Sequence, residues 1–256
     1  MSDQTNDATS FRARLLRRER LFGTMVTLPT PAVAEVLARL GFDWLFLDAE
    51  HGPLGTRELL AILQAVGDRV PCLVRVPEAA ELPIKRALDL GAAGVIVPQV
   101  NTAEQAAAVV RFARYAPDGA RGVGLARAHG YGFGFDEYLR AANERTCVVV
   151  QAEHALAVEN IEAIVRVAGV DAVLVGPYDL SASLGRMGDV DHPAVVEAIE
   201  HVTQTCLAAG VALGYFGVSA DAVRPYVDRG YTLVVAGVDT LLLGGAARSL
   251  LSELRR

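Results

Sequence analysis

The chain has 256 residues, 52% of them hydrophobic, with 24 glycines, 11 prolines and a formal net charge of −6. That length supports one large domain with a real core, and the mild acidity excludes the basic footprint that nucleic-acid binding needs. No apolar run is long enough and free enough of charge, Gly and Pro to span a bilayer, so no membrane partner is expected. Cys72, Cys147 and Cys206 lack C-x-x-C spacing and fall in apolar segments, so each reads as a small buried hydrophobe in a reducing, cytoplasmic setting.

In chain order, residues 1–10, MSDQTNDATS, are polar and read as a frayed tail without the apolar core of a signal peptide. The rest, 11–256, reads as a single domain. FRARLLRRER suggests a short helix closing the floor of that domain. The first strand is expected at Leu21–Thr27, then a helix at Pro31–Leu40. Strand and helix then alternate: Asp43–Asp48 with Thr56–Val66, Pro71–Val76 with Glu81–Leu90, and Ala93–Pro98 with Thr102–Tyr115. A Gly- and Arg-rich connection, Ala116 to Gly134, precedes a helix at Phe135–Asn143. It is the longest connection in the chain, a place where function or motion concentrates. Thr146–Glu153, Asp171–Pro177, Val211–Phe216 and Tyr231–Gly237 complete the strands. Helices at Ala157–Val167, Pro193–Ala209, Ala220–Asp228 and Thr240–Leu251 follow them. The strands are short, β-branched and apolar on both faces, as parallel strands covered by helices are. Eight such units predict an α/β fold of the (β/α)8 TIM-barrel type. A doubly wound open sheet is the competing fold, but VTLPTP after the first strand is no glycine-rich phosphate loop.

Chemistry in such a barrel sits at the carboxyl ends of the strands, so polar strand ends carry the functional reading. FLDAEHGPLG ends the second strand with Asp48, Glu50 and His51; Arg75 ends the third; Gln151 and Glu153 end the fifth. The sixth runs through Gly176 and Pro177 into Asp179. Period-two alternation puts Val149, Gln151 and Glu153 on one side, and Phe46, Asp48 and Glu50 on one side. Two carboxylates converging from adjacent strands, Glu153 and Asp179, repel unless a cation lies between them. A hard divalent ion such as Mg2+, Mn2+ or Co2+ suits them. Pairing with arginine, or a helix-capping role for Asp179 before LSASLG, is the other reading. His51 is a candidate base. Arg75 needs an anion, either Asp48 or Glu50 in an ion pair or an oxyanion of a substrate.

These segments resemble the HpcH/HpaI family of metal-dependent pyruvate aldolases, of the phosphoenolpyruvate/pyruvate barrel superfamily. LDAEHGP, VRVPE, RALDLGAAGVIVPQVNTAEQA, RGVGLARA, VVVQAE, GPYDLSASLG and VAGVDTLLL carry the resemblance from about Phe22 to Leu251. It implies an aldolase that interconverts a 4-hydroxy-2-oxo acid with pyruvate and an aldehyde, in aromatic or sugar-acid catabolism. Glu153 and Asp179 would hold the metal, and Gln151 would help hold the substrate. The backbone of Gly176, Pro177, Tyr178 and Asp179 would receive the pyruvate carboxylate. Arg75 would stabilise the enolate oxygen and His51 would accept the proton through a water. Asp89 matches the position that raises the basicity of that histidine. It lies on the barrel floor, so it would act only from a neighbouring subunit of a homo-oligomer, a trimer or hexamer. Asp48 is the orienting group within the chain.

Tyr178 stands where the family has a small residue, His154 where it commonly has Thr, and Ala152 replaces a larger aliphatic. His154 should point away from the lumen. Tyr215 and Phe216 either line the acceptor side or pack the core. Two alternative functions are a CoA-thioester C–C lyase, for which Arg121 and Arg127 would have to supply a phosphate groove, and a ketoacid-binding protein without turnover.

Overall fold

Apolar strands need cover on both faces, and here both covers come from the chain itself. The structure, a computed structural model, describes residues 10–256; of the expected frayed tail, all but Ser10 lies outside the described residues. Eight parallel strands close into a barrel in chain order: β1 (Leu21–Val26), β2 (Trp44–Asp48), β3 (Cys72–Arg75), β4 (Gly94–Val97), β5 (Cys147–Ala152), β6 (Ala172–Val175), β7 (Ala212–Gly217) and β8 (Leu233–Val238). The (β/α)8 expectation is borne out, and the doubly wound sheet is excluded by the pairing of β1 with β8.

Side chains of each strand divide between two cores. Leu45, Leu47, Val74, Val148 and Val150 face outward into the layer shared with the helices. Trp44, Phe46, Leu73, Cys147 and Val149 face the lumen. The largest of them, Trp44, pairs in register with Gly23. A Cβ at Gly23 would sit 2.6 Å from the indole, so only glycine leaves room for that ring. The lumen is sealed below by α1 (Phe11–Leu16), which is capped by Ser10 and inserts Phe11 and Leu15. Truncating Leu15, which is fully buried, to alanine would cost about 2–5 kcal/mol. All three cysteines are free and buried, as expected.

The outer layer comprises α2 (Pro31–Leu37), α3 (Thr56–Val66), α4 (Glu81–Asp89), α5 (Ala103–Ala113), α6 (Phe135–Arg145), α7 (Ala155–Glu159), α8 (Ile161–Ile164), α9 (Pro177–Ser183), α10 (Pro193–Ala209) and α11 (Ala220–Asp228). The helix expected over Ala157–Val167 is instead two short ones. The break is at Asn160, whose amide donates to the carbonyls of Leu156 and Asn101 in place of a regular turn. The long connection holds a 3-10 segment, Arg127–Gly132, folded around the buried His129 ring, which bonds the backbone of Ala126, Gly124 and Gly132.

The last helix, α12 (Asp239–Leu254), does not join that layer. Its first residue is fixed to the mouth, the Asp239 carboxylate accepting from Thr27 N (3.0 Å), Leu28 N (2.8 Å) and Thr27 Oγ1 (2.7 Å). Beyond Asp239 its side chains are exposed, including Leu241, Leu242, Leu243, Leu250, Leu251 and Leu254. No helix among the described residues is long and apolar enough to cross a membrane.

Candidate active site

Charged residues gather at the carboxyl ends of β2, β3, β5 and β6. The expected parity holds: Asp48 follows Phe46 into the lumen, and Gln151 follows Val149. Asp48 and Arg75 are register partners across β2 and β3. The guanidinium makes a two-pronged bond, Nε to Asp48 Oδ1 (2.9 Å) and Nη2 to Oδ2 (2.7 Å), and lies 5.2 Å over the Phe46 ring. Glu50 Oε2 adds an ion-pair contact to Arg75 Nε at 3.2 Å. Burial works against the charge on Arg75, but the bonds and charge of Asp48, with Glu50 and Glu153, outweigh it and raise the pKa. Arg75 therefore has the ion pairs that its burial demands, and it also lines the central cavity.

Asp48 is fully committed. Besides Arg75, it accepts the backbone N–H groups of Glu50 (3.1 Å) and His51 (3.3 Å). It thus fixes the backbone that carries His51 rather than the ring. The carboxylate nearest the exposed imidazole belongs to Glu50, with Oε2 3.7 Å from Nε2. Partial burial raises the Glu50 pKa, opposed by Arg75 and His51.

Glu153 is 2% exposed and follows the last residue of β5. Oε1 accepts from Gln99 N (2.8 Å) and Gln99 Nε2 (3.1 Å), and Oε2 from Gln151 Nε2 (2.6 Å). These donors are neutral amides. Burial lifts the Glu153 pKa to about 7; the Gln99 N–H and Arg75 oppose the rise, while the charges of Asp179 and Glu50 add to it. Gln151 Oε1 is buried and has no hydrogen-bond partner. Asp179 lies in the first turn of α9, after the Gly176–Pro177 turn. A Cβ on Gly176 would come within 2.9 Å of Glu153 Oε2, so glycine is what brings that turn against the glutamate.

A cavity of about 160 Å³ is lined by His51, Arg75, Gln151, Gly176, Pro177, Tyr178 and Asp179 on its polar side and by Met25, Phe46, Leu174 and Phe216 on its apolar side. It brings together every expected site residue except Asp48 and Glu153, which are bonded directly behind it, and Asp89. Asp89 ends α4 at the floor, where Arg121 Nη2 donates to it at 2.6 Å. Among the described residues no three His, Cys, Asp or Glu side chains converge on one point. Two carboxylates with water and substrate oxygens are nonetheless a sufficient donor set for a magnesium-like ion. A buried, amide-bonded glutamate with two other acids near it, beside an unpartnered amide oxygen, fits such an ion.

Tyr215 and Phe216 have opposite fates. Tyr215 faces outward, stacked on Tyr226 at 3.5 Å, and Phe216 reaches the cavity. His154 caps α7 through Nδ1, away from the lumen as expected. The residue that sequence reasoning missed is Gln99. It lies in the PQVN segment after β4, and its role depends on a left-handed backbone (φ 53°) that nothing in that segment announces.

Fold and site together define a (β/α)8 enzyme whose charged residues gather at the carboxyl ends of the strands, where barrels of this kind carry out their chemistry. The chain belongs to the HpcH/HpaI aldolase/citrate lyase family, whose model matches residues 21–245. It is 46% identical over 243 residues to a 4-hydroxy-2-oxovalerate aldolase of Rhodococcus jostii (strain RHA1), covering 94% of each chain. A hydroxypyruvate/pyruvate aldolase of Cupriavidus necator is 43% identical, over 96% of this chain and 92% of that one. The crystal structure of a family member from Burkholderia cenocepacia J2315 superposes with a TM-score of 0.92 at 39% identity, covering 96% of this chain and 98% of that one.

Proposed function

We propose that the protein is a divalent-metal-dependent pyruvate aldolase that cleaves, and in reverse forms, the C3–C4 bond of a 4-hydroxy-2-oxo acid. The observation that carries this is Glu153, a buried carboxylate without a protein cation of its own, facing the turn that bears Asp179. Glu153 and Asp179 would hold the ion, for which Mg2+, Mn2+ or Co2+ suits the donors. Bound there, it would supply the positive charge that favours the enolate form of pyruvate.

The remaining roles belong to the chain's own groups. The Arg75 guanidinium, fixed by Asp48, faces the oxygen on which negative charge develops. Pro177 has no N–H, so Tyr178 and Asp179 donate to the pyruvate carboxylate at the start of α9, with Gly176 giving the close approach. Gln151 positions the ketoacid. His51, with Glu50 Oε2 3.7 Å from its Nε2, takes the proton of the 4-hydroxyl through a water. That proton transfer releases the aldehyde.

The CoA-thioester alternative loses its phosphate groove. Arg121 is bonded to Asp89 and Tyr138, and Arg127 to the carbonyls of Leu90 and Leu63. A homo-oligomer, trimer or hexamer, fits the exposed leucines of α12 and the placement of Asp89, which meets a His51 only across a subunit boundary. Pyruvate release from a 4-hydroxy-2-oxo acid, followed with lactate dehydrogenase, tests the function. Release that EDTA abolishes and Mn2+ restores is expected. Chelator-resistant release, release of acetyl-CoA from malyl-CoA instead, or metal-dependent ketoacid binding with no cleavage, overturns it.

A further inference from the structure

Gln99 places two donors on one oxygen of Glu153: its backbone N–H at 2.8 Å and its Nε2 at 3.1 Å both end on Oε1. Each carboxylate oxygen offers about two lone-pair sites, so Oε1 is filled. Oε2 takes one bond, from Gln151, and keeps one site open. The open oxygen is the one that faces the Gly176 turn leading to Asp179. Gln99 reaches this geometry only in the left-handed region, φ 53°, which a residue with a Cβ rarely adopts. The residue is exposed, so core packing does not require its side chain.

We propose that Gln99 is a positioning residue that makes Glu153 a one-oxygen ligand and thereby sets the centre for a small, six-coordinate cation against calcium. Ca2+ favours six to eight oxygens and often takes a carboxylate through both, whereas Mg2+-like ions accept single oxygens in an octahedron. Closing Oε1 removes the second oxygen that calcium would use. The inference rests on Glu153 being a metal ligand, as proposed above.

Isothermal titration calorimetry of the full chain with Mn2+ and with Ca2+, without substrate, tests it. Wild type should bind Mn2+ at least about tenfold more tightly than Ca2+. Gln99→Met keeps the length of the side chain and removes the Nε2 donor, leaving only the backbone N–H on Oε1, so the preference for Mn2+ should fall by about threefold or more. Gln99→Gly, suited to the left-handed backbone, should lose the same selectivity while the metal-free melting temperature holds or rises. That pairing separates positioning of a ligand from support of the fold. A preference that is unchanged or larger in both Gln99 variants, with Glu153→Ala binding neither ion, overturns the role of Gln99 and leaves Glu153 a ligand. Wild-type Mn2+ affinity in Glu153→Ala overturns the ligand assignment and this inference with it.

Discussion

Two carboxylates at opposite ends of the barrel are buried alike and completed differently. Asp171, at the floor, and Glu153, at the mouth, are each 2% exposed. Asp171 accepts from Arg12 Nε (2.8 Å), Arg114 Nη2 (3.4 Å) and the N–H of Val148 (2.8 Å). Two guanidinium groups and a backbone donor finish its shell. Glu153 is hydrogen-bonded by amides alone; burial, with Asp179 and Glu50, raises its pKa, and Arg75 opposes the rise only through its charge. At the floor the chain supplies the pairing cations itself, although burial still raises the Asp171 pKa; at the mouth, on the function proposed above, the pairing cation comes from outside. Burial alone therefore does not mark a functional acid. The difference between the two is burial without a cation bonded to the carboxylate, and the function proposed above rests on it.

The sharpest way to break that comparison is to remove each acid in turn. Glu153→Ala should lower metal-dependent pyruvate release by more than about 100-fold, the upper end of what loss of a mere supporting contact costs. Its metal-free stability should stay near wild type, because an uncompensated buried charge is gone. Asp171→Ala should do the reverse. It leaves Arg114 buried and unpaired, costs about 3 kcal/mol or more by urea denaturation, and preserves turnover per folded molecule. If Glu153→Ala proves the less stable of the two, the mouth is as self-sufficient as the floor and the comparison fails.

His51 sharpens the picture from the solvent side. It is exposed, so His51→Ala should change stability by no more than about 0.5 kcal/mol. Turnover should drop by about 10²–10⁴, the range for a lost general base, with Mn2+ affinity intact. Steady-state kinetics beside a metal titration separates these, and wild-type turnover would remove His51 from the mechanism. The smallest effect is expected at Tyr178, on the rim. Tyr178→Ala should raise KM for pyruvate in the aldol direction by several-fold, about 1 kcal/mol for one neutral contact, with the Mn2+ affinity unchanged. An identical KM would reject a pocket role.

Legibility of the sequence followed the range of the interaction. Period-two alternation placed Gln151 on the lumen side, and the same rule applied to VALGYFG separates Tyr215 from Phe216 by parity. The alternation of strands and helices gave the barrel. Asp48 and Glu50 were the two acids the charges offered Arg75, and it contacts both; that Asp48 takes the two-pronged bond depends on the β2–β3 register, which the chain does not spell out locally. The partnership of Glu50 with His51 depends on how Asp48 pulls in the backbone of both. Gln99 was illegible because its contribution needs a left-handed backbone at a residue that does not favour it. The split at Asn160 was hidden by an apolar pattern that continues through it.

The most direct measurement is the anomalous difference map of a crystal soaked with Mn2+ and pyruvate. A peak about 2.0–2.2 Å from Glu153 Oε2 and from an Asp179 carboxylate oxygen, with pyruvate oxygens beside it, is the predicted result. A saturating soak that leaves no peak between these two side chains, or places the ion elsewhere, would contradict a mouth built around a shared cation.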